Sequence, residues 1–198
     1  VQGQTGIDDD RKRLPAAERR AVIERVAGKL FGERGYEATT LAQIAAAASV
    51  TKPVLYRHFE SKKALYLALL ERHEQDLSSF VEPGGPGLGE QLPQILDGWL
   101  RYVAERGYQW RMLFRDSGGD EEIRRHRREV QERAREVMVA ILARAEPPLP
   151  LVQLEPSAEM VRAGMAGLAL WWLDHPEAER ADLVAVIGRL LAGVVAPA

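Results

Sequence analysis

Residues 39–62, TTLAQIAAAASVTKPVLYRHFESK, decide the fold. Leu41, Ile44, Ala45 and Ala48 recur at i, i+3, i+4 and i+7, the spacing of one apolar helix face. Thr40 stands just ahead of that face, where its hydroxyl can accept a bond from a free backbone N–H. The pattern stops at Ser49-Val50 and restarts behind Thr51, a second N-cap position, with Pro53 in the tolerated first turn. Leu55 and Phe59 lie one turn apart on a new apolar face. Lys52, Pro53, Val54, Tyr56 and His58 are therefore expected to point away from the small core. Two short helices at a tight turn, the second with a polar, basic and aromatic outer face, describe a helix-turn-helix suited to DNA.

The same residues carry a family resemblance. Thr40, Ile44, Ala45, Val50, Thr51, Lys52, Leu55, Tyr56, His58, Phe59, Ser61 and Lys62 follow T-x-x-x-I-A-x-x-x-x-V-[ST]-K-x-x-L-Y-x-H-F-x-S-K. This pattern resembles the DNA-binding signature of the Tet repressor family. The resemblance implies that Tyr56, His58 and Lys62 hold phosphates, together with the helix start at Thr40. Lys52 can donate to guanine or to a phosphate, Pro53 and Val54 can touch a thymine methyl, and Thr51 can do either. Two positions depart from the family's pattern. Ser49 stands where the turn usually has Gly and would carry strain in a left-handed conformation. Ala42 stands where the family often has a base-touching Arg, which shifts base reading onto the second helix of the motif.

A formal net charge of −2 looks wrong for a DNA binder until it is divided along the chain. Residues 11–70 hold 12 basic and 5 acidic side chains, a surplus of +7, while residues 71–198 are acidic overall. One end suits a polyanion and the other does not. The chain has no cysteine, which removes disulfides and thiolate chemistry and suits a cytoplasmic address. No apolar run reaches the ~20 residues of a membrane span. Residues 1–10 begin without Met and are set aside from the fold argument.

Outward from the motif the chain reads as all-α, with a three-helix N-terminal helix-turn-helix domain over residues 14–62. A helical ligand-binding and dimerisation domain follows over residues 63–198. Residues 1–13 are expected to be a disordered arm, with Arg11, Lys12 and Arg13 as its basic part. Pro15 opens a first helix whose inward stripe is Ile23, Val26, Ala27, Leu30 and Phe31, with Gly35 as its C-cap. A helix from residue 61 to about residue 80 links the two domains. PGGPGLG at 83–89 is a loop signal. A helix is then expected up to a stop near Gly107, followed by a short aromatic segment ended by DSGGD. The charged stretch 121–145 reads as a long helix, EPPLPLVQLEP as a rigid connection, and 157–173 and 180–195 as two final helices.

Those final helices are more apolar than a solvated pair. Gly164, Gly167 and Trp171 on one, and Leu183, Ile187, Leu190 and Leu191 on the other, are expected to meet a second copy. The resemblance implies this pairing as a four-helix bundle on a two-fold axis, which matches two recognition helices to a palindromic operator in double-stranded DNA. Trp99, Tyr102, Trp110, Phe114, Met138, Met165 and Trp172 are expected to line a pocket for a small, largely apolar or aromatic effector. The expected function is a ligand-responsive repressor. A constitutive DNA binder, with the interior filled instead of hollow, is the alternative. An enzyme is the weakest reading. His58, His73, His126 and His175 are scattered without metal-ligand spacing, no phosphate loop occurs, and no cofactor or metal is expected.

Overall fold

The computed structural model describes residues 15–78, 88–146 and 148–195. The basic arm at 11–13 and most of the 83–89 loop signal lie outside the described residues. Among the described residues there are eight α-helices and no strand: α1 (Ala16–Ala38), α2 (Leu41–Ala47), α3 (Lys52–His58), α4 (Lys62–Ser78), α5 (Leu88–Phe114), α6 (Glu121–Leu142), α7 (Leu151–Asp174) and α8 (Arg180–Val195). None of them is long and apolar enough to cross a membrane.

Helices α1 to α3 form a head closed over Ile23, Ala27, Phe31, Ile44 and Leu55, each with no exposed surface. The expected N-caps divide here. Thr40 forms a full capping box: its hydroxyl accepts from Gln43 N (3.3 Å), while Gln43 Oε1 accepts from Thr40 N (2.8 Å). Thr51 makes no side-chain cap bond. Ser49 adopts φ 55°, the left-handed conformation anticipated for the turn. Gly35 (φ 80°) breaks α1, and a last short turn runs on to Ala38.

The head shares its core with α4, through Leu65, Tyr66, Leu69 and Leu70, and is tied to the rest of the body, α5 to α8, at two further places. Helix α1 lies against α5 through Gly28 and Gly32. A Cβ on Gly28 would fall 2.3 Å from the Tyr108 ring, and one on Gly32 would fall 2.9 Å from the Tyr108 carbonyl oxygen. Only residues without side chains permit that approach. The second tie is the α5–α6 loop, the DSGGD segment. Asp116 Oδ2 accepts from Tyr36 N (2.9 Å) and the Tyr66 hydroxyl (3.0 Å), and its Oδ1 accepts from Gly118 N (2.9 Å). Glu37 accepts from Gly119 N at 3.0 Å, and Lys63 pairs with Asp120 (3.1 Å) and Glu122. The buried Arg127 guanidinium closes the loop onto the carbonyl oxygens of Asp116 and Gly118. Burial, with Asp116 alongside, pushes the Tyr66 hydroxyl's pKa up, so it stays a donor.

Two sequence boundaries are corrected. The helix does not stop at Gly107: α5 bends at Arg106 (φ −130°, ψ 29°) and continues to Phe114. Gly107 is there because Leu173 of α7 leaves no space for a Cβ, which would lie 2.2 Å from its Cδ2. The EPPLPLVQLEP stretch is not all connection either. Helix α7 starts at Leu151 and runs through Pro156, near enough to its start that a missing N–H removes one bond and not the helix.

Candidate DNA-facing surface and ligand cavity

On α3, Leu55 is fully buried and the opposite side of the helix faces outward. Lys52, Pro53 and Tyr56 are exposed, Tyr56 at 52 %, while Val54 and His58 are half-buried. Thr40 and Thr51 are exposed at the starts of α2 and α3. The structure therefore gathers seven of the sequence-selected residues on one end of the head. Burial, and then Arg19, Arg20 and Arg57 around it, holds the His58 imidazole below its usual pKa, so the ring is neutral at pH 7.

Lys62 is placed differently from expectation. Its ammonium donates to the Tyr36 carbonyl at 2.8 Å and lies 4.1 Å from the centre of the Tyr36 ring. In this arrangement it caps the end of α1. Sequence reasoning missed Arg57. It is exposed, four residues after Pro53 and two after the buried Leu55, so it shares Pro53's outward side. Helical phase alone carries that signal.

Helices α5, α6, α7 and α8 enclose a cavity of about 150 Å³. A buried water needs roughly 10–15 Å³ of such space, so the cavity has room for about ten waters or a single aromatic ring. Its wall includes five of the seven expected residues: Trp99, Trp110, Phe114, Met138 and Met165. Leu92, Ile95, Val137, Ile141 and Val161, which sequence reading did not select, complete most of the rest. Glu146 and Arg162 are the charged members, and Arg162 is held by Glu159 (Nε to Oε2 2.9 Å). Trp110 stacks on Phe114 (centroids 5.4 Å apart) and meets Trp99 edge-on at 5.8 Å.

Tyr102 and Trp172 do not line the cavity. The Trp172 indole donates to the Ala178 carbonyl at 2.9 Å and secures the α7–α8 turn. The Tyr102 hydroxyl joins a buried polar cluster between α4 and α5, donating to Gln109 Oε1 (2.6 Å) and lying 2.6 Å from His73 Nδ1. His73 is thus neither at the surface nor at an open junction. Burial lowers its pKa to about 4, opposed by its hydrogen bond with Gln109, and the ring is neutral. Among the described residues, no group of three or more His, Asp or Glu could hold a metal ion.

On the outer side of α7 and α8 an apolar stripe is exposed. Met160 (61 %), Gly164, Gly167 and Trp171 (45 %) follow one face of α7, with Val186 and Leu190 (67 %) on α8. A Cβ added at Gly164 or Gly167 would meet nothing within 4 Å. Leu183 and Ile187, expected on this stripe, are instead 6 % and 5 % exposed and pack inward among Trp99, Val103 and Ala169. Leu191 turns to the cavity. A helix apolar on nearly every side gives no phase from which to choose its outer face.

Comparison with known proteins agrees with this architecture. Residues 23–69 match the family model described as bacterial regulatory proteins, tetR family. Residues 88–194, more than half the chain, match the tetracyclin repressor-like C-terminal domain. The transcriptional activator FasR of Mycolicibacterium smegmatis is 51% identical over 69 residues, 35% of this chain and 32% of its own length. The transcriptional repressor ComR of Escherichia coli is 37% identical over 67 residues, 34% of this chain and 31% of its own. The chain thus spans about a third of the length of these curated relatives. A TetR-like transcriptional regulator from Rhodococcus sp. RHA1 superposes with a TM-score of 0.71 at 27% identity, over 91% of this chain and all of that one. With both halves of the architecture matched, this chain belongs to the Tet repressor (TetR) family of bacterial regulatory proteins.

Proposed function

We propose that the chain is a ligand-responsive repressor that binds a palindromic operator as a homodimer and is released by a small, largely apolar molecule. The observation that carries this reading is the cavity: a space with an almost wholly apolar wall, in a body tied to the DNA-facing head through Tyr108 and Asp116. A constitutive binder predicts a filled interior. The matched relatives include an activator and a repressor, so the sign of regulation does not follow from the head they share; repression is our assignment.

Lys52, Pro53 and Val54 would enter the major groove, with Thr40, Thr51, Tyr56, Arg57 and His58 toward the phosphates. Two copies would pair through Met160, Gly164, Gly167, Trp171, Val186 and Leu190, burying an apolar stripe that a lone chain leaves in water. Ligand in the cavity would favour a setting of α4 in which the two heads no longer match successive grooves. Ligand and operator must then weaken each other by the same factor.

Native mass spectrometry before and after denaturing extraction tests the assembly and the cavity together. A dimer carrying extra mass that leaves on denaturation supports the proposal and delivers an effector. A monomer at micromolar concentration removes the basis for palindromic recognition. With a selected operator, Lys52→Ala should weaken binding and relax base preference, whereas Tyr56→Ala should weaken all sequences alike. Equal loss on every sequence for Lys52→Ala overturns its assigned role. Each phosphate contact removed should flatten the log–log salt slope by roughly 0.9.

A further inference from the structure

The start of α1 and the end of α3 meet at one corner of the head. The Arg20 guanidinium donates to the His58 carbonyl at 3.4 Å and lies over the Phe59 ring, 4.4 Å from its centre. Arg19 stands beside it on α1, and Arg57 precedes His58 on α3. The corner's carboxylate, Glu24, is shared between Arg20 (2.8 Å) and Arg72 of α4 (3.2 Å). Among the described residues, Arg57 has no ion-pair partner and the half-buried His58 ring has no hydrogen-bond partner. The guanidiniums of Arg19, Arg20 and Arg57 repel a proton on this imidazole, and Glu24 attracts one.

That balance belongs to the free protein, in which the ring is neutral at pH 7. A duplex presents one negative charge per about 1.7 Å of its axis. A phosphate laid against Arg57 and the start of α1 offsets their charge and brings a negative charge toward the ring. Both changes favour the imidazolium, which donates from two nitrogens where the neutral ring donates from one. Histidine is the side chain whose charge such a change switches near neutral pH. The other three histidines are elsewhere: His73 is buried between α4 and α5, His126 is on α6, and His175 caps the end of α7.

We propose that operator binding takes up a proton at His58 of each subunit, so that the imidazole meets the DNA backbone as a cation and the protein holds its operator more tightly as pH falls. The inference rests on the operator-binding reading above and goes beyond it by giving the contact a charge state and the regulator a sensitivity to pH. The sign follows from linkage. The complex holds more protons than the separate protein and DNA, so affinity rises as pH falls through the pKa of the bound ring and levels off below that of the free ring.

Calorimetric titration of the full chain with the duplex it selects from a random pool tests it, at about pH 6.5 and constant ionic strength. Two buffers of different ionisation enthalpy are used, and the difference between their heats counts protons. The expected result is an uptake of roughly half a proton or more per subunit, with affinity rising about tenfold for the dimer between about pH 7.5 and 6.0. His58→Gln should abolish both. Tight binding by the unaltered protein with no proton uptake overturns the proposal and leaves operator recognition intact, His58 then touching phosphate as a neutral donor. Uptake that persists in His58→Gln overturns it as well, by placing the proton on another group. If the pool yields no duplex, operator recognition itself falls and the proton linkage with it.

Discussion

The head and the body are both helical and both well buried, yet they are filled differently. Ile23, Phe31, Ile44 and Leu55 close the head without residual surface, and Trp99 and Trp110 in the body are only 5 % exposed. The two tryptophans nevertheless stand beside about 150 Å³ of unfilled space. Burial from solvent and contact with neighbours are separate quantities, and the cavity is where they part. On the proposed function the head presents Lys52 and Tyr56 at a fixed spacing from α2, which a close-packed core provides. On the same proposed function the body admits a guest, and contacts that would stabilise it empty are left unmade.

The largest effect expected from this difference is on stability. Phe31→Ala removes a side chain packed on every side and should cost about 3–5 kcal/mol in urea unfolding. Met138→Ala, on the cavity wall, removes atoms that already lack partners on one side and should cost roughly 1 kcal/mol. Equal losses would mean that the body is as filled as the head.

Next in size is the acid response of His73. Burial holds its folded pKa at about 4, against an ordinary value of 6.5. The folded state therefore favours the neutral ring. Its stabilising contribution is present in full above about pH 6.5 and is lost as pH falls toward 4. The loss amounts to roughly 3 kcal/mol. His73→Leu should remove that component of the slope between pH 6.5 and 4 in urea titrations. An unchanged slope would place the acid sensitivity elsewhere.

The tie between the two regions comes third. Asp116→Ala leaves the Tyr36 N–H and the Tyr66 hydroxyl without their shared acceptor, apart from the Met112 carbonyl 3.1 Å from the latter. The expected cost is about 1–3 kcal/mol. Faster hydrogen exchange at the Tyr36 amide would locate the loss at the junction. Unchanged exchange there would show that the packing of α1 on α4 and α5 holds the junction without Asp116.

The same division explains what the sequence could and could not say. The head's helices each carry a local period, so Leu41, Ile44 and Ala45, then Leu55 and Phe59, announce their faces by spacing alone. The cavity wall draws on residues from Leu92 to Leu191, and no local period links Ile95 to Val161. The aromatic and Met residues were legible as candidates because they are large and concentrated. Tyr102 and Trp172 lie off the cavity wall, each with a polar atom engaged by a partner that only the fold supplies. Gly107 looked like a helix stop because Leu173, its reason, lies far along the chain. The clasp at Asp116 carried no motif at all.

The smallest effect lies in the turn between α2 and α3. Ser49 sits at φ 55°, where a side chain crowds the following carbonyl and glycine does not. Ser49→Gly relieves that crowding but gives the unfolded chain more freedom, and the two effects partly cancel. A net gain of about 0.5–1 kcal/mol is expected, read as a raised urea midpoint with an unchanged slope. Because the turn aims α3, operator affinity should stay within about twofold if the body sets the spacing of the two heads. A larger change in affinity would assign part of that spacing to the turn itself, and the head would then be less fixed than its filled core implies.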